Sequence, residues 1–311
     1  MKRMAASRDS GIIILGVPRS GTTLLRRLLG WHPQVHCGGE NFLLTAAARF
    51  LRSDKIVDGI DYGVLGGVAA AGLPAQQLID DLRRLVESYL ERMAKDAGKP
   101  RWATKTAIDS FYIPEIEQLF NGHARFVCVV RHGLDVALSL KDLCDANEVY
   151  LREIHEYIVR YPRPLMAFAQ IWADITTGLL DLAERRPESA MALRYEDLTR
   201  NPAEEVSRLV EFLDLEQGHD LLDALVNDQP KGLGDWKTYE RTTVDDTSVD
   251  RWRGLSSANV ARLASTVNPV LERAGYGRVE STAIPSAQEA MRRYELSLSL
   301  QASRSRAKHD T

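Results

Sequence analysis

The sequence contains few cysteines, no long hydrophobic run near its start and little net charge. Its 311 residues include 3 cysteines, and this odd number without metal-ligand spacing argues against a disulfide framework or a zinc site. The apolar run Ile12 to Leu15 is far shorter than the roughly 20 residues that a membrane span requires. Residues 1–10 include basic side chains, but the apolar stretch of about 7–15 residues that a signal peptide needs does not follow them, so we expect no secretory signal peptide.

The charge balance limits the kinds of partner. A net charge of −3 argues against binding to nucleic acid or to an acidic membrane surface, so any anion site must be local. Hydrophobic residues make up 44% of the chain and charged residues 27%, which is typical of a globular protein in water. We therefore expect a globular protein without a nucleic-acid partner or a membrane span.

The clearest functional signal lies within residues 11–40. Ile12 to Leu15 form a short apolar run that ends at Gly16, which is typical of a buried parallel strand. Gly16, Pro18 and Gly21 then predict a tight loop, and leucines recur with helical spacing after it. A strand, a glycine loop and a helix form a cradle for a phosphate-like anion, because backbone N–H groups and the positive end of the helix dipole meet there.

The loop lacks the lysine of nucleotide hydrolases. Gly16 and Gly21 have the spacing of the G-x-x-x-x-G-K-[ST] signature, but Thr22 stands where that signature has Lys. Because that Lys reaches the β- and γ-phosphates, its absence argues against a nucleoside triphosphate. A cation is present instead as Arg19, which suits a shorter anion held by a guanidinium, hydroxyls and backbone amides. The flanking hydroxyl residues are Ser20, Thr22 and Thr23.

Two further predicted strands are each followed by a basic residue. Lys105 follows the run Arg101 to Thr104, and Arg131 follows the apolar run Arg125 to Val130. Ligands of open α/β sheets bind beyond the carboxyl ends of the strands. The next predicted helix carries Ser139 about two turns further on, so Arg131 and Ser139 can converge on a second anion. We therefore predict an α/β fold with a mainly parallel central sheet flanked by helices.

The loop sequence G-V-P-R-S-G-T-T-L-L-R resembles the 5′-phosphosulfate loop of sulfotransferases that use 3′-phosphoadenosine 5′-phosphosulfate (PAPS). It is most similar to the tyrosylprotein sulfotransferase branch, in which the loop helix is also followed by H-P and by a C-G motif that ends in Glu. Here those positions are His32-Pro33 and the run Cys37 to Glu40. The resemblance implies a single P-loop-like domain over residues 11–277. Its reaction would move a sulfuryl group to an acceptor hydroxyl and release adenosine 3′,5′-bisphosphate (PAP), without a metal ion.

The resemblance also implies roles for individual residues. Glu40 corresponds to the catalytic base, and Lys105 to the lysine that contacts the sulfuryl group and the bridging oxygen. Arg131 and Ser139 match the 3′-phosphate motif, and Tyr195 of Y-E-D-L corresponds to a tyrosine near the nucleotide. The implied catalytic residues are Glu40, Lys105, Arg19 and Thr242. The implied cofactor-binding residues are Arg19, Ser20, Gly21, Thr22, Thr23, Arg131, Ser139, Tyr195, Thr243, Arg251 and Arg253.

The same resemblance bears on the domain limits and the location. We expect a disordered leader over residues 1–10 and a C-terminal extension over 278–311 that is partly helical and then disordered. Cys37 matches a position that is disulfide-bonded in the animal enzymes, but Ala103 stands where its partner would be. We therefore expect a cytoplasmic protein, unlike its membrane-anchored Golgi relatives. The sequence does not specify the oligomeric state, and a homodimer is one alternative.

The residues after Glu40 bear on the acceptor. Tyrosylprotein sulfotransferases hold acidic peptides with arginines there, and Phe42 and Ala46 occupy two of those positions. An apolar rim favours a small molecule, a lipid or a natural product with a hydroxyl group. Arg49 and Arg52 keep sulfation of peptide tyrosine open as an alternative.

Other interpretations remain open at this level. A P-loop small-molecule kinase would share the loop, but it should need the absent lysine and Mg²⁺. A non-catalytic nucleotide-binding protein would bind PAP without transfer. The glycine-rich segment 53–74 and the charged segment 143–163 are candidate acceptor lids or plain surface segments. The alternative bases to Glu40 are His32, His36 and His132.

Overall fold

The computed structural model describes residues 11–55, 61–148, 150–217, 221–226, 248–280 and most of 287–299. These residues form two compact units. The first comprises the described residues up to Arg131 and those from Asp174 to Val226, and the second comprises His132 to Ala173 and those from Ser248 onward. The predicted leader 1–10 and residues 300–311 lie outside the described residues, whereas residues 290–292 and 294–299 are helical.

A five-stranded parallel sheet organises the first unit. The strands within the described residues are β1 (Gly11–Gly16), β2 (Val35–Cys37), β3 (Asp54–Lys55), β4 (Asp61–Tyr62), β5 (Arg101–Thr104), β6 (Ala124–Val130) and β7 (Ala190–Arg194). The parallel sheet has the order β2-β5-β1-β6-β7, and β3 and β4 pair separately as an antiparallel ribbon. The predicted fold class is confirmed.

The central position of β1 follows from its composition. Every residue of its G-I-I-I-L-G sequence is buried, as expected for a parallel strand covered on both faces. β1 pairs with β5 on one side, where Ile13 lies opposite Thr104, and with β6 on the other, where Gly16 lies opposite Val129. The carboxyl end of β1 therefore lies between the strand ends that lead to Lys105 and Arg131.

Helices flank the sheet on the strand connections. Those with residues in the first unit are α1 (Thr22–Trp31), α2 (Leu43–Leu51), α3 (Val64–Ala70), α4 (Ala75–Asp96) and α5 (Ile113–Phe120). The next helices along the chain, α6 (Gly133–Asn147) and α7 (Arg152–Arg160), belong to the second unit. The helix after them, α8 (Pro164–Arg185), has residues in both units. The first unit continues with α9 (Tyr195–Arg200), α10 (Pro202–Phe212) and α11 (Leu221–Val226), and the second with α12 (Ser257–Arg273). Two 3₁₀ helices span Asp109–Tyr112 and Arg251–Gly254.

Three local features differ from the sequence-based expectation. The sequence predicts a second helix around Asn41 to Leu51, but this helix begins at Leu43, because Asn41 Oδ1 accepts a hydrogen bond from Leu43 N. The sequence predicts that Y-E-D-L ends the strand Ala190–Arg194, whereas a short helix, α9, starts at Tyr195 directly after β7. The candidate lid 53–74 contains β3, β4 and α3, so much of its described part is regular structure rather than loop.

The cysteines are all free and buried. Cys37 lies opposite Ala103 in the pairing of β2 with β5, so the position that would complete a bridge holds no thiol. Among the described residues, no helix combines the length and the apolar character needed to cross a membrane. The cytoplasmic location stays a prediction.

Candidate active site

The loop after β1 is fixed at its first glycine. Gly16 N donates to Ser110 Oγ at 2.7 Å, and the same hydroxyl donates to the Gly16 carbonyl oxygen at 2.9 Å. A Cβ on Gly16 would lie 2.6 Å from Thr22 Cγ2 and 2.9 Å from the Val129 carbonyl oxygen. The chain therefore leaves the sheet at a point that is closely packed and hydrogen-bonded.

The first turn of α1 carries no capping side chain. Gly21 is its N-cap residue, and neither a side-chain cap nor an acidic residue is present in the first turn. The first N–H groups of a helix have no partner within the helix, and the helix dipole adds partial positive charge there. Ser20, Thr22 and Thr23 are buried at this end, and Ser20 Oγ has no hydrogen-bond partner among the described residues. These groups have the donor chemistry that an anion requires.

Two arginines and a tyrosine meet at the loop. Arg19 has a left-handed backbone with φ of 80°, and its carbonyl oxygen accepts a hydrogen bond from Arg131 Nη1 at 2.9 Å. The Arg131 guanidinium lies 4.8 Å from the centre of the Tyr195 ring. Gly21 packs so closely on that ring that an added Cβ would lie 2.2 Å from Tyr195 Cδ2. Predicted cofactor ligands from three separate segments of the chain therefore lie close together.

Glu40 and Lys105 are in direct contact. Cys37 at the end of β2 lies opposite Ala103 near the end of β5, so the residues that follow both strands emerge side by side. Lys105 Nζ lies 2.5 Å from Glu40 Oε1, and the two side chains are 2% and 13% exposed. The buried Arg26 of α1 donates from Nη1 to the Gly38 carbonyl oxygen at 2.9 Å and supports the chain before Glu40. A predicted base and a predicted sulfuryl ligand therefore form one ion pair.

The histidine alternatives have other surroundings. His32 is fully buried, with Nδ1 accepting from Gln34 N at 3.1 Å and Nε2 3.0 Å from the Glu216 carbonyl oxygen. The His132 ring stacks on Trp252 at 5.0 Å. Burial lowers the pKa of His36, and the nearby charge of Lys99 lowers it further. Their contacts favour structural roles for His32 and His132.

In the second unit, a buried carboxylate holds a basic 3₁₀ helix. Asp135 on α6 accepts hydrogen bonds from Trp252 N at 2.8 Å and from Asp250 N at 2.9 Å. This contact fixes the segment Arg251–Gly254, which contains two predicted cofactor ligands.

Those predicted ligands have partners of their own. Arg251 Nη2 lies 2.8 Å from Asp142 Oδ2, and Arg253 Nε lies 3.2 Å from Asp250 Oδ2. Ser139 is buried on α6. The predicted joint contact of Arg131 and Ser139 with one phosphate involves both units and stays a prediction. Thr242 and Thr243 lie outside the described residues.

Exposed aromatic side chains follow Glu40. Phe42 is 42% exposed and Phe50 on α2 is 51% exposed. Arg49 Nε donates to Tyr112 Oη at 2.9 Å, and the Arg49 and Arg52 guanidinium groups lie 5.7 and 5.4 Å from the Tyr112 ring centre. Arg49 and Arg52, the two arginines that could bind an acidic peptide acceptor, therefore both contact Tyr112.

Comparison with known proteins identifies the family. A model described as "Sulfotransferase family" matches residues 11–220. The chain belongs to this sulfotransferase family. The match spans the loop, the Glu40–Lys105 pair, Arg131 and Tyr195, whereas the 3₁₀ helix Arg251–Gly254 lies beyond the matched residues.

The individual relatives that match the chain are distant in sequence. Nodulation protein NoeE of Sinorhizobium fredii is 26% identical over 260 residues, which cover 77% of this chain and 59% of NoeE. Protein-tyrosine sulfotransferase A of Caenorhabditis elegans is 24% identical over 279 residues, covering 85% of this chain and 67% of the relative. The sulfotransferase domain of the Synechococcus PCC 7002 olefin synthase shares the fold, with a TM-score of 0.60 at 22% identity over 89% of this chain and 99% of that domain.

Sequence reasoning missed the residues that support the predicted site segments within each unit. Ser110, Arg26 and Asp135 hold the loop, the chain before Glu40 and the basic 3₁₀ helix. Asp109 and Thr45 form a buried contact between the 3₁₀ helix after β5 and α2. Their only sequence signal is proximity to a predicted site residue, for example Asp135 four positions before Ser139 on the same helix.

Proposed function

We propose that this sulfotransferase uses PAPS as the donor and sulfates a hydroxyl group of an apolar small molecule, lipid or natural product. The observation that carries the proposal is the buried Glu40–Lys105 contact beyond β2 and β5. Lys105 follows β5, which is the neighbour of β1 in the sheet. The carboxyl end of β1 leads into the loop at which Arg19, Arg131 and Tyr195 meet.

The residues of the first unit fit an anionic donor. The uncapped start of α1 and the buried hydroxyls would hold the 5′-phosphosulfate, together with Arg19. One of these hydroxyls, Ser20 Oγ, has no hydrogen-bond partner in the part of the chain that the structure describes. Arg131 would hold the 3′-phosphate, and Tyr195 would contact the nucleotide. Ser139, Thr243, Arg251 and Arg253 are the further proposed ligands.

The proposed chemistry is an in-line displacement at sulfur. Glu40 takes the proton of the acceptor hydroxyl, whose oxygen forms the new bond to sulfur while the bond from sulfur to the bridging oxygen breaks. Lys105 and Arg19 stabilise the negative charge that builds up on the sulfuryl and bridging oxygens, with Thr242 as a further proposed donor. PAP leaves with the bridging oxygen, and the proton stays on Glu40.

The acceptor class rests on the surface after Glu40. Phe42 and Phe50 expose aromatic surface, and Arg49 and Arg52, which are also exposed, contact Tyr112. Apolar walls with few polar groups suit a hydrophobic or phenolic hydroxyl better than an acidic peptide.

The test uses the purified protein with ³⁵S-labelled PAPS and three acceptors: a simple phenol, a long-chain alcohol and an acidic tyrosine peptide. We expect label on the phenol or the alcohol and little on the peptide. Incubation with γ-³²P-labelled ATP and Mg²⁺ serves as the kinase control and should leave all three acceptors unlabelled. Transfer from ATP, or sulfation of the peptide alone, would contradict the proposal.

A further inference from the structure

Asp109 is a fully buried carboxyl group close in sequence to the proposed catalytic lysine. It opens the 3₁₀ helix that follows β5, four residues after Lys105. The Thr45 hydroxyl of α2 donates to Asp109 Oδ1 at 2.5 Å. The other oxygen, Oδ2, is buried and has no hydrogen-bond partner among the described residues. Because an ionised carboxylate with one oxygen unsatisfied is costly in such surroundings, the geometry favours the neutral acid.

The charges that act on Asp109 belong to the proposed catalytic pair. Burial raises the pKa of Asp109 from its ordinary 3.8 to about 7, and the negative charge of Glu40 adds to this effect. The hydrogen bond from Thr45, the backbone of Thr106 and the charge of Lys105 lower the same pKa. The protonation of Asp109 is therefore coupled electrostatically to Glu40 and Lys105.

The other charged side chains on the elements packed against this 3₁₀ helix have hydrogen-bond partners of their own or are partly exposed to solvent. β1 consists of glycine, isoleucine and leucine. Arg49 of α2 donates to Tyr112, and Glu117 of α5 is bound by Arg185 and Arg186. Glu115 of α5 is partly exposed to solvent. Glu40 and Lys105 are thus the charged side chains that set the state of Asp109.

We propose that Asp109 is a positioning residue that controls the charge around the Glu40–Lys105 pair, and that the enzyme works with Asp109 neutral. This inference rests on the proposed function. An ionised Asp109 would place a second negative charge next to a site in which sulfuryl transfer collects negative charge. It would also compete with the donor for the Lys105 ammonium.

The expected signature is a descending limb in the pH profile. The value of kcat/KM for PAPS should fall above about pH 7, by about tenfold per pH unit, as one proton is lost from the free enzyme. Bound donor adds negative charge and favours the neutral acid further, so the limb in kcat should lie at higher pH than the limb in kcat/KM.

Two variants separate this role from a structural one. The asparagine of D109N cannot ionise. Between about pH 7 and pH 9, kcat/KM of D109N should therefore change by no more than about threefold, whereas kcat/KM of the wild type should fall by about 100-fold. T45V removes the hydrogen bond that stabilises the ionised form, so it should shift the limb to higher pH. The control D81N changes an exposed carboxylate paired with Arg84 on α4 and should keep the wild-type profile.

A second measurement does not depend on activity. The folded protein should hold a proton on Asp109 that the unfolded chain releases above about pH 4, because the folded pKa is raised. The contribution of this proton to stability is fully present below the unfolded pKa. It is lost as pH rises to the folded pKa near 7. The free energy of unfolding of the wild type should therefore fall relative to D109N between about pH 4 and pH 7.

The outcomes separate the inference from the proposed function. If the descending limb of the pH profile keeps its midpoint in D109N, the proposed role of Asp109 is wrong, while sulfuryl transfer as the function still stands. If D109N does not fold, an unchanged midpoint in T45V has the same meaning. A wild-type protein that transfers no label at any pH would refute the proposed function and the catalytic part of this inference with it. Parallel unfolding curves for wild type and D109N across this pH range would refute the buried proton itself.

Discussion

Lys105 is almost fully buried, and its ammonium group lies 2.5 Å from the Glu40 carboxylate. Removing one member of such a pair leaves an uncompensated charge, which typically costs about 3–5 kcal/mol. Glutamine at position 40 retains an oxygen that can accept from Lys105, so it tests the base with less damage to the fold than alanine would. The choice of substitution therefore decides whether chemistry or stability is measured.

E40Q should keep the affinity for PAP and lose most turnover. A positioned general base is typically worth about 10²–10⁴-fold in rate, so we expect a loss of kcat in that range. The matched control E91Q changes an exposed glutamate on α4 and should keep full activity. Calorimetry with PAP and the ³⁵S transfer assay measure the two properties separately. Wild-type turnover in E40Q would exclude Glu40 as the base.

At the scale of elements, the junction of β1 and α1 depends on close backbone packing. Gly21 combines φ of 92° with direct contact to the Tyr195 ring. A side chain in the left-handed region costs roughly 1–2 kcal/mol before any clash is counted. The clash would move Tyr195, which itself lies against Arg131.

G21A should therefore weaken PAP binding by about tenfold or more, since the strain and the clash both act at the proposed donor loop. The matched control is G122A. Gly122 also has a left-handed backbone, with φ of 72°, but an added Cβ there would meet nothing within 4 Å. G122A should lose about 1 kcal/mol of stability and keep PAP affinity. Equal affinities in both variants would contradict a role of the Gly21–Tyr195 contact in binding.

Elements specified by neighbouring residues could be predicted from the sequence, whereas contacts between distant residues could not. β1, its loop and α1 were predicted because a local apolar run, two glycines and a helical leucine pattern specify them. The contact of Glu40 with Lys105 required the pairing of β2 with β5. The contact of Thr45 with Asp109 joins residues 64 positions apart, and a lone Thr or Asp carries no pattern that announces such a partner. Nor did any pattern predict α9, because its Y-E-D-L sequence reads as a strand end.

At the scale of the whole molecule, the thiols are the simplest test of the packing. Burial raises the pKa of Cys37 and Cys128 to about 12 and that of Cys144 to about 11. Thiolates are the reactive form, so the native protein should react slowly with a thiol reagent at pH 8. All three thiols should react in concentrated guanidinium chloride. Dithiothreitol should leave the Tm unchanged, and a lowered Tm would reveal a disulfide that these contacts exclude.

At the scale of the whole donor site, we propose that the protein holds a sulfated nucleotide through one anion site at Arg19 and a second at Arg131. Hydrogen bonds to charged groups contribute about 1.5–3 kcal/mol each, so loss of both guanidinium groups should weaken binding by about 100-fold or more. The exposed arginines Arg84 and Arg92 on α4 provide a matched control pair.

The most direct measurement is calorimetric titration of PAP into the wild type, the R19Q/R131Q double variant and the R84Q/R92Q control, each checked for folding by circular dichroism. We predict binding by the wild type and the control, and a loss of about 100-fold or more in R19Q/R131Q. A wild-type protein that does not bind PAP, or a folded R19Q/R131Q variant that binds it as tightly as the wild type, would contradict the account.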